Sequence, residues 1–273
     1  MKFGFVLPSG TPRELVERAV EAETAGWDAV FVWEAAYGAD AWSVLAAAAE
    51  RTDRIRLGTM LTPLPWRRPW KVASQVATLD QLSEGRAILA VGLGAPEVST
   101  ARPNDSVDRR ERAALLDDGI DLIDALWSGA LTYDGPEFQL DLTGGVIGEF
   151  RPVQRPRPPI WIVGAWLRPK SMQRVLKGDG LLPNVMDPEL RATTPDDVRA
   201  MRAWLQEHGA RDDFDVVAEG STPADLDAAA TTVQPWADAG ATWWIEALWT
   251  VDEGADHEAL VLERLRAGPP SLA

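Results

Sequence analysis

The sequence predicts a (β/α)8 barrel of the TIM type, and three observations lead there. Short apolar or β-branched runs alternate with longer amphipathic runs along the whole 273-residue chain, eight of each. The short runs are continuously apolar, as in AVFVW at 29–33 and AILAV at 87–91, which marks parallel strands buried on both faces. The turn after the first run, Pro8-Ser9-Gly10-Thr11, lacks the glycine fingerprint of an open dinucleotide-binding sheet. Eight units without a change of composition therefore close into a barrel more readily than they fan out into a doubly wound sheet.

Each element has its own local reason. Phe3 to Leu7 reads as a strand; Thr11-Pro12 then opens a helix to Ala25, because proline suits a helix start, and Gly26 stops it. Ala29 to Trp33 is the second strand and Ala41 to Glu50 the second helix. Ile55 to Leu61 and Pro69 to Leu82 form the third pair. Ala87 to Val91 and Arg109 to Trp127 form the fourth, with Leu115, Leu116, Ile120, Ile123 and Leu126 on one helical face. From Gly129 to Pro159, glycines and five prolines interrupt the rhythm, leaving room for a short hairpin around Tyr133 to Leu142. The alternation then resumes with strands at Ile160–Val163, Gly180–Leu182, Phe214–Ala218 and Thr242–Ile245. Their helices are Lys170–Lys177, Pro195–His208, Pro223–Ala239 and Glu258–Arg266. No repeat, low-complexity tract or linker divides the chain, so residues 1–273 read as one barrel domain.

Composition narrows the function. The hydrophobic share of 46% supports a large core, and the net charge of -15 disfavours nucleic acid and anionic membrane as partners. There is no cysteine, which removes disulfides, thiolate metal sites and cysteine nucleophiles. The two histidines, His208 and His257, sit in polar stretches and read as solvated surface, so no metal centre is expected. Met1 to Pro8 is too short for the apolar part of a signal peptide and no apolar run reaches membrane-helix length. The expectation is a cytoplasmic protein acting on a small molecule.

In a barrel of this kind the C-terminal strand ends share one mouth, and chemistry belongs there. Gly92-Leu93-Gly94 follows the fourth strand and would let a flat ring or its phosphate approach the backbone; a tight turn explains it equally well. Glu34, Glu219 and Glu246 all lie at predicted strand ends, where a carboxyl can serve as acid or base, or merely accept hydrogen bonds. Arg151 to Lys177 holds seven basic residues and no acidic one. Arg168, Lys170 and Ser171 fall at the first turn of the fifth helix, a plausible phosphate clamp, although a solvated basic face has the same composition. Thirteen tryptophans include Trp33, Trp166 and Trp249 at or beyond strand ends, which could fill the barrel or wall a pocket.

Four stretches together resemble the luciferase-like monooxygenase superfamily: IRLGTMLTPLP at 55–65, DQLSEGRAILAVGLG at 80–94, PVQRPRPPIWIVG at 152–164 and GDGLLP at 178–183. They occur in the family's order and span most of the chain, though family members are commonly longer. The resemblance implies a bacterial luciferase-like barrel using FMN or the deazaflavin coenzyme F420. It implies a backbone kink, sometimes a non-proline cis peptide, behind the ring at Thr59, Met60 and Thr62. Gly92 and Gly94 would face the ring, and Gly164, Ala165 and Ser171, with Arg168 and Lys170, would take the phosphate. Two usual proton-handling positions are alanine here, Ala35 after Glu34 and Ala95 after Gly94. Glu34, Tyr37, Glu97 and Glu246 are the candidates to replace them, Glu34 first. The implied activity is hydride transfer or monooxygenation of a small organic substrate; the alternative is a barrel that binds flavin without turnover. An unrelated lyase or isomerase would need a metal cluster or a lysine near the mouth, and none of the four lysines is predicted there. A homodimer through the outer helices is common in the resembling family.

Overall fold

The computed structural model describes residues 1–35, 37–95, 108–145, 150–186, 190–249 and 256–273. Eight parallel strands alternate with eight helices among them. They are β1 (Lys2–Leu7), α1 (Pro12–Ala25), β2 (Ala29–Val32), α2 (Ala41–Ala49), β3 (Arg56–Thr59), α3 (Pro69–Leu82), β4 (Ala87–Gly92) and α4 (Arg109–Ser128). There follow β5 (Ile160–Trp166), α5 (Pro169–Val175), β6 (Gly180–Met186), α6 (Pro195–Glu207), β7 (Asp215–Gly220), α7 (Leu226–Asp238), β8 (Trp243–Glu246) and α8 (His257–Ala267). Each strand pairs in parallel with its neighbours, and β8 pairs with β1 through Lys2↔Trp243 to Phe5↔Glu246, which closes the ring. The (β/α)8 barrel expected from the sequence is therefore the fold.

Closure is possible because each strand carries two apolar faces. The inward set includes Val6, Phe31, Ile88, Trp161, Val217, Trp243 and Ile245. Phe31, Trp161 and Trp243 meet at ring separations of 5.5 Å and 5.1 Å, so the lower barrel is filled rather than hollow. The outward set, with Phe5, Leu7, Val30, Leu57, Leu89, Ile162 and Val216, packs against the helices. Helix starts follow the local chemistry. Thr11 and Glu14 form a capping box on α1, Thr194 and Asp197 another on α6, and Asp40, Asp108, Asp225 and Asp256 cap α2, α4, α7 and α8.

The observed boundaries differ where glycine or proline was read as punctuation. The fifth strand runs on past Val163 to Trp166, because Gly164 faces outward where Leu181, Val175 and Met172 leave no room for a Cβ. The sixth continues through Pro183 and Asn184 to Met186. The third stops at Thr59. The Met60–Leu61 peptide is cis, in the segment where the resemblance implied a kink, and Thr62–Pro63 then pairs with Val91 and Gly92. The hairpin in the long excursion is real, Thr132–Asp134 against Gln139–Asp141. It is pinned to α4 by Asp118, which accepts from the Tyr133 hydroxyl at 2.6 Å and from the N–H groups of Glu137 and Phe138 at 2.8 Å.

The two histidines part company. His208 is exposed and stacks on Trp204. His257 corrects the surface reading: it is half-buried at the start of α8, with Nε2 2.6 Å from the Leu248 carbonyl oxygen. Among the described residues no helix is long and apolar enough to cross a membrane.

Candidate active site

The alternation of each strand decides which strand-end residues enter the mouth. On β7, Val217 points into the barrel while Val216 and Ala218 pack outward, so Glu219 faces inward above Val217. Its neighbour in register is Ile245 of β8, another interior residue. The same count puts Met60, Gly92, Ala165, Asn184 and Ala247 on the inward side at the top of their strands. Three of these are glycine or alanine, standing above the aromatic plug of Phe31, Trp161 and Trp243. Trp33 and Trp249 stand at the rim, 36% and 43% exposed.

Glu219 is the ionisable member of that layer. Its Oε1 accepts from Trp249 Nε1 at 2.7 Å. Water reaches the side chain, yet the surrounding walls desolvate it, the combination a cleft floor produces. That desolvation pushes its carboxyl above the ordinary 4.5, and the bond from Trp249 pulls it part of the way back.

Of the four catalytic candidates, three lie within the described residues, and the structure places each differently. Glu34 is held rather than free. Its Oε1 accepts from Trp42 Nε1 at 2.5 Å and from Thr62 Oγ1 at 2.7 Å, while Oε2 pairs with Arg67 Nη1 at 2.5 Å. The network extends from Thr62 to Thr59 at 2.8 Å and from Arg67 to Gln75 at 2.7 Å. Thr59 and Thr62 thus join the second strand end to the third. Tyr37 is 98% exposed and lines, with Glu34, Asp40 and Arg67, a cavity of about 170 Å³. That volume is below what a tricyclic ring needs.

Glu246 does not enter the mouth. It is wholly buried on the outward face, accepting from Thr222 N at 2.5 Å and Thr222 Oγ1 at 2.6 Å, with Arg264 Nε at 3.4 Å. Burial pushes its carboxyl up while Arg264 opposes the shift. Its geometry is that of a clamp between β8, the loop after β7 and α8. Glu97 lies outside the described residues.

The cofactor-site candidates also divide. Gly92 is inward, and a Cβ there would come within 3.0 Å of Val163 and 3.2 Å of Leu61. Gly94 has φ +77° and makes room for the Trp66 ring, which a Cβ would meet at 2.2 Å. Arg112 lies over that ring, 5.6 Å from its centroid, and donates to the carbonyls of Leu93 and Gly94. Ala165 is inward, but its N–H already donates to Ser171 Oγ at 2.9 Å, and Gly164 serves strand–helix packing.

The basic segment is mostly consumed internally. Arg174, Lys177 and Arg157 pair with Asp117, Asp121 and Asp124, one acidic stripe along α4 at i, i+4 and i+7. Arg155 donates to backbone carbonyls, and Arg151 packs over Gly129. Arg168 and Lys170 are exposed beyond β5, next to Leu167 at φ +66°. A signal for this pairing lies in the sequence, three acids spaced i, i+4 and i+7 on α4, but the reading of the basic run as a phosphate clamp or solvated face passed it over. Glu219 was legible only as one of three strand-end acids, because separating them takes the inward–outward count.

Residues 1–259 match the family described as luciferase-like monooxygenase. A Mycobacterium tuberculosis protein that carries the name of a coenzyme F420-dependent oxidoreductase is 32% identical over 222 residues, covering 76% of this chain and 61% of its own length. An F420-dependent glucose-6-phosphate dehydrogenase of Amycolatopsis mediterranei is 38% identical over 140 residues, 47% of this chain and 42% of that protein. The chain therefore spans less than two thirds of either relative. Among solved structures, an F420-dependent tetrahydromethanopterin reductase of Methanopyrus kandleri superposes with a TM-score of 0.74 at 18% identity, over 98% of both chains. A monooxygenase of Streptomyces bottropensis gives the same TM-score and coverage at 20% identity. At those identities the likeness speaks for the fold alone.

Proposed function

This chain belongs to the luciferase-like monooxygenase family, and from that premise we propose that it is an oxidoreductase dependent on a flavin-type cofactor and acting on a small organic molecule. Coenzyme F420 is the first choice, FMN the second, because the relatives at 32% and 38% identity carry F420 in their names.

One observation carries the reading: on β5 and β8 the inward layer at the strand ends is built of the small residues Ala165 and Ala247, above a plugged barrel. Small side chains leave space for a flat ring, the indoles of Trp33 and Trp249 offer walls, and Asn184 and Glu219 offer polar partners. These residues fit the ring of either cofactor. Arg168 and Lys170 at the edge would hold an anionic tail. When bound, the cofactor supplies hydride exchange or, as FMN, activation of dioxygen. The barrel's own part is to position the ring, to shield it from water and to keep the Glu34–Arg67 pair fixed at the rim.

The same proposal takes residues 1–273 as one barrel domain, working in the cytoplasm on a small molecule rather than nucleic acid, as a homodimer through its outer helices. A flavin-binding barrel without turnover is the second reading, favoured by Ala35, Ala95 and the fully engaged Glu34.

The test is a titration of the purified protein with F420 and with FMN, followed by quenching of tryptophan fluorescence. Saturable quenching by one cofactor is expected. Trp33→Phe and Trp249→Phe should each reduce its amplitude, and Trp204→Phe on α6 should not. No quenching by either cofactor would sink the proposal.

A further inference from the structure

We propose that Glu219 is the proton-exchanging group of the mouth, serving a neutral substrate that carries a hydroxyl, or in the reverse direction a carbonyl, on its reacting carbon. The proposal rests on the flavin-type reading above and adds to it the proton acceptor and the substrate class.

The argument is one of elimination by geometry. A hydroxyl that loses hydride from its carbon must also lose its O–H proton, and a carboxylate within reach can take it. Among the described residues three carboxylates stand at strand ends. Glu246 faces outward and is saturated by Thr222 and Arg264. Glu34 is neutralised by Arg67 and occupied by Trp42 and Thr62. Glu219 alone of the three faces inward without an opposing cation: its hydrogen bond comes from the neutral indole of Trp249.

Its surroundings are also those of a group meant to change charge. It pairs in register with Ile245 of β8, and the inward residues at the neighbouring strand ends are Leu182, Asn184, Ala247, Met60 and Ala165. None of these ionises, and Glu34 and Arg67 on the described part of the rim are bound to each other. Among the described residues no cation holds the carboxyl ionised; desolvation pushes its ionisation upward, and the bond from Trp249 opposes that shift in part.

The same layer speaks for an uncharged substrate. It contains no lysine or arginine among the described residues to meet a phosphate or carboxylate on the reacting molecule. An amide, a carboxyl and two indoles suit a compact hydroxyl or carbonyl compound.

The step balances. In the oxidative direction, the substrate's C–H bond breaks and its electron pair leaves as hydride to the oxidised deazaflavin or flavin. The O–H bond breaks and its proton passes to a Glu219 carboxylate oxygen as the carbon–oxygen double bond forms. In reverse, the Glu219 carboxylic acid returns the proton to the oxygen as the reduced cofactor delivers hydride to carbon.

The test uses wild type, Glu219→Gln, Glu219→Asp and Trp249→Phe. First, tryptophan fluorescence is followed against pH without cofactor. Wild type should show a transition with its midpoint above the ordinary glutamate value, read out through Trp249. Glu219→Asp should keep a transition; Glu219→Gln and Trp249→Phe should lose it. A transition that survives in Glu219→Gln, or none in wild type, overturns the proposal.

Second, cofactor affinity is compared by quenching, and single-turnover bleaching of the bound oxidised cofactor is measured with propan-2-ol, cyclohexanol and benzyl alcohol. Glu219→Gln should retain saturable cofactor binding but react at least about 100-fold more slowly, with the pH dependence flattened and restored in Glu219→Asp. Equal rates in wild type and Glu219→Gln at every pH overturn the role of Glu219 alone. No bleaching by wild type with any of the three alcohols overturns the substrate class. A wild type that binds neither cofactor removes the oxidoreductase reading, and this proposal with it.

Discussion

Glu219 and Glu246 are the same residue type at two strand ends, each with a carboxyl that burial pushes upward, and they do opposite things. The difference is the parity of their positions. For Glu219 the sign of the pH effect follows directly. Folding makes its carboxyl harder to ionise, so the folded state is penalised once the group is charged. That penalty is absent below the ordinary value of 4.5 and grows as pH rises through the folded value. Glu219→Gln keeps an oxygen for Trp249 and removes the ionisation. Its melting temperature should exceed that of wild type at pH 8, and the two should coincide near pH 4, in thermal melts followed by circular dichroism. An equal difference at both pH values would contradict the raised carboxyl. Glu34 is the converse case, a carboxylate whose side chain is 6% exposed and whose partner Arg67 is 25% exposed. Glu34→Ala strands that guanidinium together with the Trp42 indole N–H, and should cost about 3 kcal/mol in urea denaturation. A loss well under 1 kcal/mol would show that the rim does not depend on it.

At the scale of elements, the βα loops carry what the strands alone do not encode. The turn after β4 is shaped by one packing event: Gly94 at φ +77° lets Trp66 lie against bare backbone while Arg112 packs over the ring and donates to the Gly94 carbonyl. Gly94→Ala meets two obstacles at once, a left-handed backbone and a ring 2.2 Å from the new Cβ. Together they should cost about 3 kcal/mol, measured as a fall in denaturation midpoint, with a changed near-ultraviolet signal from a displaced Trp66. Loops of this kind are where sequence reading loses resolution. Apolar runs and capping residues set out the eight strands and helices, and α1 and α3 begin and end at the residues the sequence suggests. What Gly164 does is not written locally, because its reason is Leu181 on the neighbouring strand and Met172 and Val175 on the following helix. The phosphate role for Ser171 met a similar limit: its hydroxyl is engaged by the Ala165 N–H, a contact across the turn that composition cannot show.

For the whole molecule, the family resemblance and the alternation of runs were enough to reach the barrel. The candidate site was legible as a place and only partly as a set of residues. Four short motifs located the strand ends, but assigning roles required knowing which of Glu34, Glu219 and Glu246 points inward, and that is a property of the closed ring. Closure has a further consequence. The first barrel strand is sealed by the eighth, with Lys2 beside Trp243, so the barrel cannot be completed before the eighth strand has been made. Roughly 240 residues separate the two, which is on the order of 10–50 s of synthesis. Throughout that interval the nascent chain carries an unpaired edge at β1, next to Phe3, Phe5 and Val6, the kind of surface to which other strands adhere. That edge stays open to other strands until the eighth strand emerges and covers it.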